Sequence, residues 1–133
     1  MKKTVVVTGG NNGIGRSITD AFILAGYHVV IGSRSEDGLD DIDVANFSHV
    51  RMDVRDEGAH RALCERAIRV GGKLDAYVNN AGRSAWRPIS KIDDVFFDDL
   101  MAINLKGAFW GCKAAATAMA ETGGAIINIS SMA

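Results

Sequence analysis

The sequence predicts an α/β fold in which helices cover both faces of a parallel sheet, that is, a doubly wound sheet. Short apolar runs alternate along the chain with longer amphipathic stretches. The short runs are apolar on both faces, which is typical of parallel strands buried between two layers of helices. With 133 residues, 47% hydrophobic and 23% charged, the chain is long and apolar enough to bury a core.

Five strands and three helices follow from this alternation. The strands are predicted at Thr4–Thr8, His28–Ser33, His49–Asp53, Ala76–Asn79 and Ala125–Ser130, each bounded by Gly, Asn, Asp or Ser. The helices are predicted at Ile14–Ala25, Ala59–Val70 and Phe96–Ala120, with a short helical turn near Gly38–Ile42. In such a fold, ligands bind at the carboxyl ends of the strands, where the chain changes direction.

Composition narrows the possible partners and the location. The formal net charge is -1 and no basic block occurs, so neither a nucleic acid nor an anionic membrane is expected as a partner. The apolar run Val5–Val7 is too short for a signal peptide or a membrane span, which predicts a cytoplasmic protein. The two cysteines and three histidines lack metal-ligand spacing, so no metal site is predicted.

The end of the first predicted strand is rich in glycine. Gly9 allows a sharp turn, Gly13 lets an anion approach the backbone, and Gly15 lets the next helix lie close to the sheet. The free N–H groups of that helix would then face the anion. Asn11 and Asn12 tolerate left-handed dihedral angles and bring short hydrogen-bonding side chains.

Three other interpretations of this glycine turn were weighed. A purely structural tight turn has a similar sequence. The GxGxxG spacing fails because Ile18 stands where the third glycine would be. The P-loop pattern also fails, because Arg16 replaces the lysine that reaches the terminal phosphates.

Four motifs resemble those of the short-chain dehydrogenase/reductase family, in the order expected for it. They are Thr-Gly-x-x-x-Gly-x-Gly at Thr8–Gly15, Asn-Asn-Ala-Gly at Asn79–Gly82, the asparagine of Ile103–Gly107, and the strand Ile126–Ser131. The resemblance implies a Rossmann-like doubly wound parallel sheet, truncated after the fifth strand. It also implies that residues 1–133 are the N-terminal part of a longer NAD(P)-binding domain.

The resemblance also implies which residues hold the cofactor. They are Gly9, Asn11, Asn12, Gly13, Ile14, Gly15, Ser33, Arg34, Asp53, Val54, Asn80, Ala81 and Gly82. An acidic residue after the second strand would favour NAD(H), whereas Arg suits a 2′-phosphate. Ser33 followed by Arg34 therefore predicts NADP(H) in preference to NAD(H). The alternative is that Arg34 is a solvated loop cation.

Two cofactor-site assignments keep a plain alternative. Asp53 with Val54 would hold the adenine ring, but Asp53 would equally serve to cap the turn after the third strand. Asn80 to Gly82 would line the adenosine ribose. Asn79 is expected to tie strands together rather than to touch ligand.

The same resemblance assigns catalytic roles to Ser131, which would steady the reacting oxygen, and to Asn104, which would hold a water relay. Ser131 would alternatively cap a turn, and Asn104 would alternatively be a surface residue. The family's Tyr-x-x-x-Lys pair is missing, because Tyr27 is followed by Ile31 and Tyr77 by Ala81 at the lysine position.

The predicted function is an NADP(H)-preferring short-chain oxidoreductase that interconverts a carbonyl and a secondary alcohol by hydride transfer, acting on a small-molecule substrate. The 133-residue chain by itself is expected to be inactive. The alternative to this oxidoreductase function is a non-catalytic dinucleotide-binding or assembly module, and a P-loop-like phosphohydrolase is the third candidate. The resemblance implies that the full-length form is a homo-oligomer, with the long helix near its interface. In the 133-residue chain, Ala125–Ser130 is expected to be an exposed apolar edge, because the parallel strand that would flank it is missing.

Overall fold

The computed structural model describes residues 2–131 and contains one parallel sheet with helices on both faces. The strands are β1 (Thr4–Thr8), β2 (His28–Ser33), β3 (Phe47–Arg51), β4 (Ala76–Asn79) and β5 (Ala125–Asn128). The α-helices are α1 (Gly13–Leu24), α2 (Glu57–Gly71), α3 (Asp94–Met101) and α4 (Gly107–Ala118), and a 3-10 turn covers Ile89–Lys91. The strand order β3-β2-β1-β4-β5 confirms the doubly wound parallel sheet.

The core lies on the two faces of this sheet because successive strand residues point in opposite directions. Val5, Val7 and Ile31 pack on the face that α1 covers. Val6 and Tyr77 pack on the opposite face with residues of α2 and α4. Each of these five side chains is fully buried.

Helix α2 begins two residues earlier than predicted because its start is capped. The Asp56 carboxylate accepts the N–H of Gly58, which satisfies one of the free donors of the first turn. The helix ends at Gly71 and is capped by Gly72, which has a φ of 84° and donates its N–H to the Ile68 carbonyl.

The long helix predicted at Phe96–Ala120 is interrupted. Helix α3 starts behind Asp93, whose carboxylate accepts the Phe96 N–H at 2.9 Å. Between α3 and α4, Ala102–Lys106 form a π-helical turn, closed by a hydrogen bond from the Gly107 N–H to the Ala102 carbonyl. Such turns carry one extra residue and occur frequently at functional sites.

Strand β3 lies two residues before its predicted position. It pairs with β2 from Phe47 opposite Val29 to Arg51 opposite Ser33. Met52 only donates its N–H to the Ser33 carbonyl, and beyond it β2 offers no further partner. The predicted strand bounds His49–Asp53 were therefore wrong by two residues at each end.

Two smaller predictions were also wrong. Gly38–Ile42 form turns rather than a helical turn, within a β2–β3 connection that has no helix. Strand β5 ends at Asn128 rather than at Ser130. Ile129 donates its N–H to the carbonyl of Asn79, which is the last residue of β4, so the pairing of the two strands ends there.

The sheet ends at β5, which pairs with β4 on one side only within residues 2–131. Ile126, Ile127 and Ile129 are 37%, 39% and 41% exposed. The exposed apolar edge expected from the sequence is therefore present. In the described part of the chain, no helix combines the length and the apolar character needed to span a bilayer.

Candidate functional site

A cavity of about 490 Å³ opens at the carboxyl ends of the strands. All thirteen residues that the sequence analysis assigned to the cofactor line it, together with Gly32, Ser35, Met52, Arg55, Arg83 and Ile103. The ends of four strands, β1 to β4, therefore meet at one site, as parallel topology requires. Whether these residues bind a dinucleotide remains a prediction.

The glycine turn after β1 has the geometry that the sequence suggested, with one correction. Gly9 and Gly13 have φ values of 64° and 54°, which only glycine adopts easily. A Cβ on Gly15 would lie 2.0 Å from the Gly9 carbonyl oxygen, so this position must be glycine. Asn11 and Asn12, by contrast, are not left-handed, and Asn12 has an extended φ of -150°.

The start of helix α1 is left open toward the cavity. Asn12 occupies the N-cap position but its side chain makes no capping bond, and the first turn contains no acidic residue. A Cβ on Gly13 would meet no atom within 4 Å. Free N–H groups at the positive end of a helix, next to open space, form an anion site.

Thr8 joins the glycine turn to the segment after β4, a role that sequence reasoning missed. Its hydroxyl accepts the N–H groups of both Asn80 and Ala81 at 3.0 Å and contacts the Val78 carbonyl at 3.4 Å. The Asn80 side chain donates to the Thr8 carbonyl at 3.1 Å. A hydroxyl residue directly before the glycines was the available signal.

Asn79 ties strands together, as predicted. Its side-chain amide donates to the Asn128 side chain at 2.9 Å, and its carbonyl accepts the Ile129 N–H. A Cβ on Gly111 would lie only 1.9 Å from Asn79 Oδ1, so α4 packs directly over this amide.

Directly after β2, hydrogen bonds hold the backbone in place on both sides of the cation Arg34. The Ser33 hydroxyl donates to the Ser35 carbonyl at 2.6 Å and accepts a hydrogen bond from His49 Nε2 at 2.8 Å. Arg34, between the two serines, is exposed and forms no hydrogen bond or ion pair with any other residue from 2 to 131. Its guanidinium is therefore available to an anion in the cavity.

Asp53 caps the turn after β3, which confirms that alternative. Its carboxylate accepts the Arg55 N–H at 3.0 Å and is gripped by the Arg55 guanidinium, with Nη2 to Oδ2 at 2.6 Å. These hydrogen bonds hold the pKa of Asp53 below its ordinary value and raise the pKa of Arg55. The carboxylate also lines the cavity, so its contact with an adenine ring stays a prediction.

Asp99 connects two walls of the cavity. It accepts hydrogen bonds from Arg55, with Nη1 to Oδ1 at 2.9 Å, and from Arg83 through its other oxygen. Arg55 follows β3 and Arg83 follows β4. A carboxylate on α3 therefore links the segments that line opposite parts of the site.

Comparison with known proteins agrees with this geometry. The family model described as short chain dehydrogenase matches residues 3–133. The chain belongs to this family.

Two of its curated relatives are named as dehydrogenases with different substrates. A cis-2,3-dihydrobiphenyl-2,3-diol dehydrogenase of Rhodococcus globerulus is 35% identical, over 94% of this chain and 48% of its own length. A 3beta-hydroxysteroid dehydrogenase 2 of Eggerthella lenta is 33% identical, over 98% of this chain and 54% of its own length. The chain thus spans about half the length of the curated relatives it matches.

Solved structures match equally well. ElxO, in a structure with NADP bound, superposes with a TM-score of 0.90 at 33% identity. The match covers 99% of this chain and 56% of the ElxO chain. The Rossmann-like fold of short-chain dehydrogenases is therefore shared along nearly the whole chain.

Asn104, which the family resemblance marked as catalytic, lies in the π-helical turn. Its side chain accepts the Arg83 N–H and donates to the Arg83 carbonyl, both at 2.8 Å. It does not line the cavity, although its neighbour Ile103 does. The amide thus holds the segment after β4, and its proposed part in a water relay stays a prediction.

Ser131 lies three residues after the end of β5 and is exposed, and it is not among the residues that line the cavity. The structure therefore brings together the predicted cofactor residues but not the two predicted catalytic ones. The tyrosines of this short-chain dehydrogenase chain also lie away from the cavity. Tyr27 stacks edge-on against Phe22, and Tyr77 is fully buried.

A buried hydrogen-bonded pair, His60 and Tyr77, holds the backbone of Val54, which lines the cavity. His60 Nε2 donates to the Val54 carbonyl at 2.8 Å, so His60 Nδ1 accepts the Tyr77 hydroxyl at 2.6 Å. Burial lowers the pKa of His60 and raises the pKa of Tyr77. The neutral imidazole thus fixes Val54, and sequence analysis could not see this because the three residues are far apart in the chain.

Proposed function

We propose that this chain is the dinucleotide-binding part of an NADP(H)-preferring oxidoreductase that interconverts a carbonyl and a secondary alcohol in a small molecule. Residues 1–133 would form the N-terminal part of a longer single domain, and the exposed edge of β5 supports this. The observation that carries the cofactor preference is Arg34, an unpaired guanidinium at the end of β2, facing the same cavity as the glycine turn.

The chemistry of the lining residues fits such a cofactor. The open N-terminus of α1 suits the diphosphate, because its peptide N–H groups carry partial positive charge and nothing occupies the space beside Gly13. Arg34 suits a 2′-phosphate, because a guanidinium matches phosphate geometry with two parallel hydrogen bonds. Of the three arginines that line the cavity, Arg55 and Arg83 form ion pairs with Asp53 and Asp99, whereas Arg34 has no ion pair among residues 2–131 and suits an anionic ligand.

When bound, NADP(H) supplies or accepts the hydride. In this proposal Asn80, Ala81 and Gly82 line the ribose, while Asn104 keeps that segment in place through Arg83. Ser131 donates a hydrogen bond to the reacting oxygen. The proton donor would come from a Tyr-x-x-x-Lys pair that these 133 residues do not contain. The chain by itself would therefore be inactive, and the full-length form would be a homo-oligomer.

The cofactor preference is tested by replacing the cation. Arg34→Ser in the full-length protein should raise the Kd for NADPH about 10- to 100-fold, since a hydrogen bond to a charged group contributes about 1.5–3 kcal/mol. The Kd for NADH should change less than threefold. Arg69→Ser, which removes an exposed arginine of α2 outside the cavity, is the matched control. Equal affinity of the unaltered protein for both cofactors would refute the assignment.

A second candidate is a dinucleotide-binding or assembly module without redox activity, with which residues 1–133 are compatible because they contain no Tyr-x-x-x-Lys pair. The two candidates differ in turnover. If the full-length protein binds NADPH but oxidises it with no ketone or aldehyde from a broad panel, the module is the better description.

A further inference from the structure

The segment at residues 34–46 joins β2 to β3 without a helix. Parallel neighbours are ordinarily connected through a helix that packs on the sheet, whereas here the connection consists of turns. Leu39 of this segment is buried in the core, at 5% exposure, and the half-buried Ile42 packs against the same cluster. Arg34 is the first residue of this segment, so the conformation of the segment determines where the Arg34 guanidinium lies.

Arg16 of helix α1 anchors the middle of this segment. Its Nη1 donates to the Gly38 carbonyl at 2.6 Å, and its two terminal nitrogens grip the Asp41 carboxylate at 3.0 and 2.7 Å. Its Nε donates to Asp20, one turn further along the same helix, at 2.9 Å. The guanidinium is thereby fixed on three sides, and these hydrogen bonds keep the pKa of Asp41 below its ordinary value.

Asn11 anchors the start of the same segment to the glycine turn. Its buried side-chain amide donates to the Ser35 carbonyl at 3.3 Å and to the Asp37 carbonyl at 3.0 Å. Gly38, with a φ of 85°, lies so close that a Cβ there would be 2.7 Å from the Asn11 carbonyl oxygen. Two side chains from the turn and from α1 therefore hold the segment against the anion site.

Arg34 lies between fixed points. On one side Ser33 belongs to β2, and on the other the Ser35 carbonyl accepts hydrogen bonds from both Ser33 and Asn11. Because the Arg34 side chain is unpaired, its reach toward the cavity depends on the position of this backbone.

We propose that Arg16 and Asp41 are positioning residues that fix the separation between the open N-terminus of α1 and Arg34, and thereby set the discrimination between NADP(H) and NAD(H). The inference rests on the proposed function. Neither residue lines the cavity, so both act through the segment that they hold. NADP(H) must engage both anion sites at once, whereas NAD(H) lacks the 2′-phosphate and is indifferent to the position of Arg34.

The size of the effect follows from the population of the held conformation. The apparent Kd rises as the inverse of the fraction of molecules in the binding-competent state. Because the Asp41 side chain is 73% exposed and the Gly38 and Asn11 contacts remain, losing its ion pair should lower that fraction only modestly. The Kd for NADPH should then rise about three- to fivefold. The Kd for NADH should then change less than about twofold.

The test compares Asp41→Ala with Asp40→Ala in the full-length protein, titrating NADPH and NADH by the fluorescence of the reduced nicotinamide. Asp40 is the adjacent exposed residue and forms no hydrogen bond or ion pair among residues 2–131, so its removal changes the net charge equally without touching the anchor. Arg16→Lys is the second variant. It keeps the charge but loses the two-pronged grip, and should show the same selective loss to a smaller extent.

The outcomes separate the two proposals. A rise in the NADPH Kd alone, in Asp41→Ala but not in Asp40→Ala, supports the anchor. Equal weakening of both cofactors, or no change in either, overturns it while leaving the NADP(H) assignment intact. A wild-type protein that binds NADH as tightly as NADPH refutes the assignment and the anchor together.

Discussion

Removing the Thr8 hydroxyl should uncouple the glycine turn from the segment after β4. Thr8→Val keeps the branched shape that suits a strand, and Thr8 is only 1% exposed, so packing at this position changes little. What disappears is the acceptor for the Asn80 and Ala81 N–H groups, together with the contact to the Val78 carbonyl.

The magnitude follows from those two donors. A buried donor left without its partner costs about 1–3 kcal/mol. Asn80 and Ala81 are half-buried, so the lower part of that range applies to each, which gives about 2–4 kcal/mol for the pair. Thr8→Ser keeps the hydroxyl and removes one methyl group, at a cost of about 1 kcal/mol.

The assay is urea denaturation of the full-length protein. With a slope of about 2 kcal/mol per molar urea, Thr8→Val should lower the unfolding midpoint by about 1–2 M, and Thr8→Ser by about 0.5 M. Midpoints for the two variants that agree within error would refute the reasoning, since the hydroxyl would then contribute nothing beyond its methyl neighbour.

Other residues give three further predictions. Gly15→Ala should prevent folding to a stable state, because its Cβ would collide with the Gly9 carbonyl. Gly13→Ala should cost only about 1–2 kcal/mol of strain yet abolish dinucleotide binding. Circular dichroism and NADPH titration distinguish these two outcomes. Asp99→Asn should lower the free energy of unfolding by about 0.5–1 kcal/mol at low salt and by less at 1 M salt, with Asp98→Asn unchanged. Burial lowers the pKa of His60 from 6.5, so below that pH the unfolded chain binds a proton that the folded chain does not. The free energy of unfolding should therefore fall from pH 6.5 down to the folded pKa, by at most about 1.4 kcal/mol per pH unit. His60→Gln should flatten this dependence in urea titrations at pH 7.5 and 5.5.

Local sequence patterns were enough to predict the sheet and the glycine turn. Val5–Val7 is apolar on both faces, which suits only a central strand, and the glycines at positions 9, 13 and 15 each meet a constraint that the backbone imposes. These features depend on residues that are adjacent or nearly adjacent in the chain. They can therefore be read without knowing what packs against them.

The features that were missed depend on distant partners. The register of β3 is decided by where β2 ends, and β3 itself is only half-buried, so its own pattern is weak. Residues 38–42 lack the predicted helical turn, and the Arg16 side chain from α1 holds Gly38 and Asp41 there. A strand or helix propensity contains no information about such long-range hydrogen bonds.

Residues in and beneath the candidate site show the same difference between features set by nearby residues and features set by distant partners. The motif containing Asn104 was visible in the sequence, but its pairing with the Arg83 backbone depends on a π-helical turn that leaves no trace in the apolar periodicity. His60 and Tyr77 each resembled an ordinary core residue until the fold placed them 2.6 Å apart.

The π-helical turn also bears on how this chain can change length. Successive residues of an α-helix are rotated by about 100° about its axis, whereas the wider turn at Ala102–Lys106 accommodates one additional residue within nearly the same rotation, so that α3 and α4 stay in phase. Deleting one codon there would yield an unbroken, fully hydrogen-bonded helix. That helix would still turn Phe96 and Gly111 toward the core, but it would lose the turn that places the Asn104 amide on the Arg83 backbone, so the deletion would disturb the cavity wall rather than the packing.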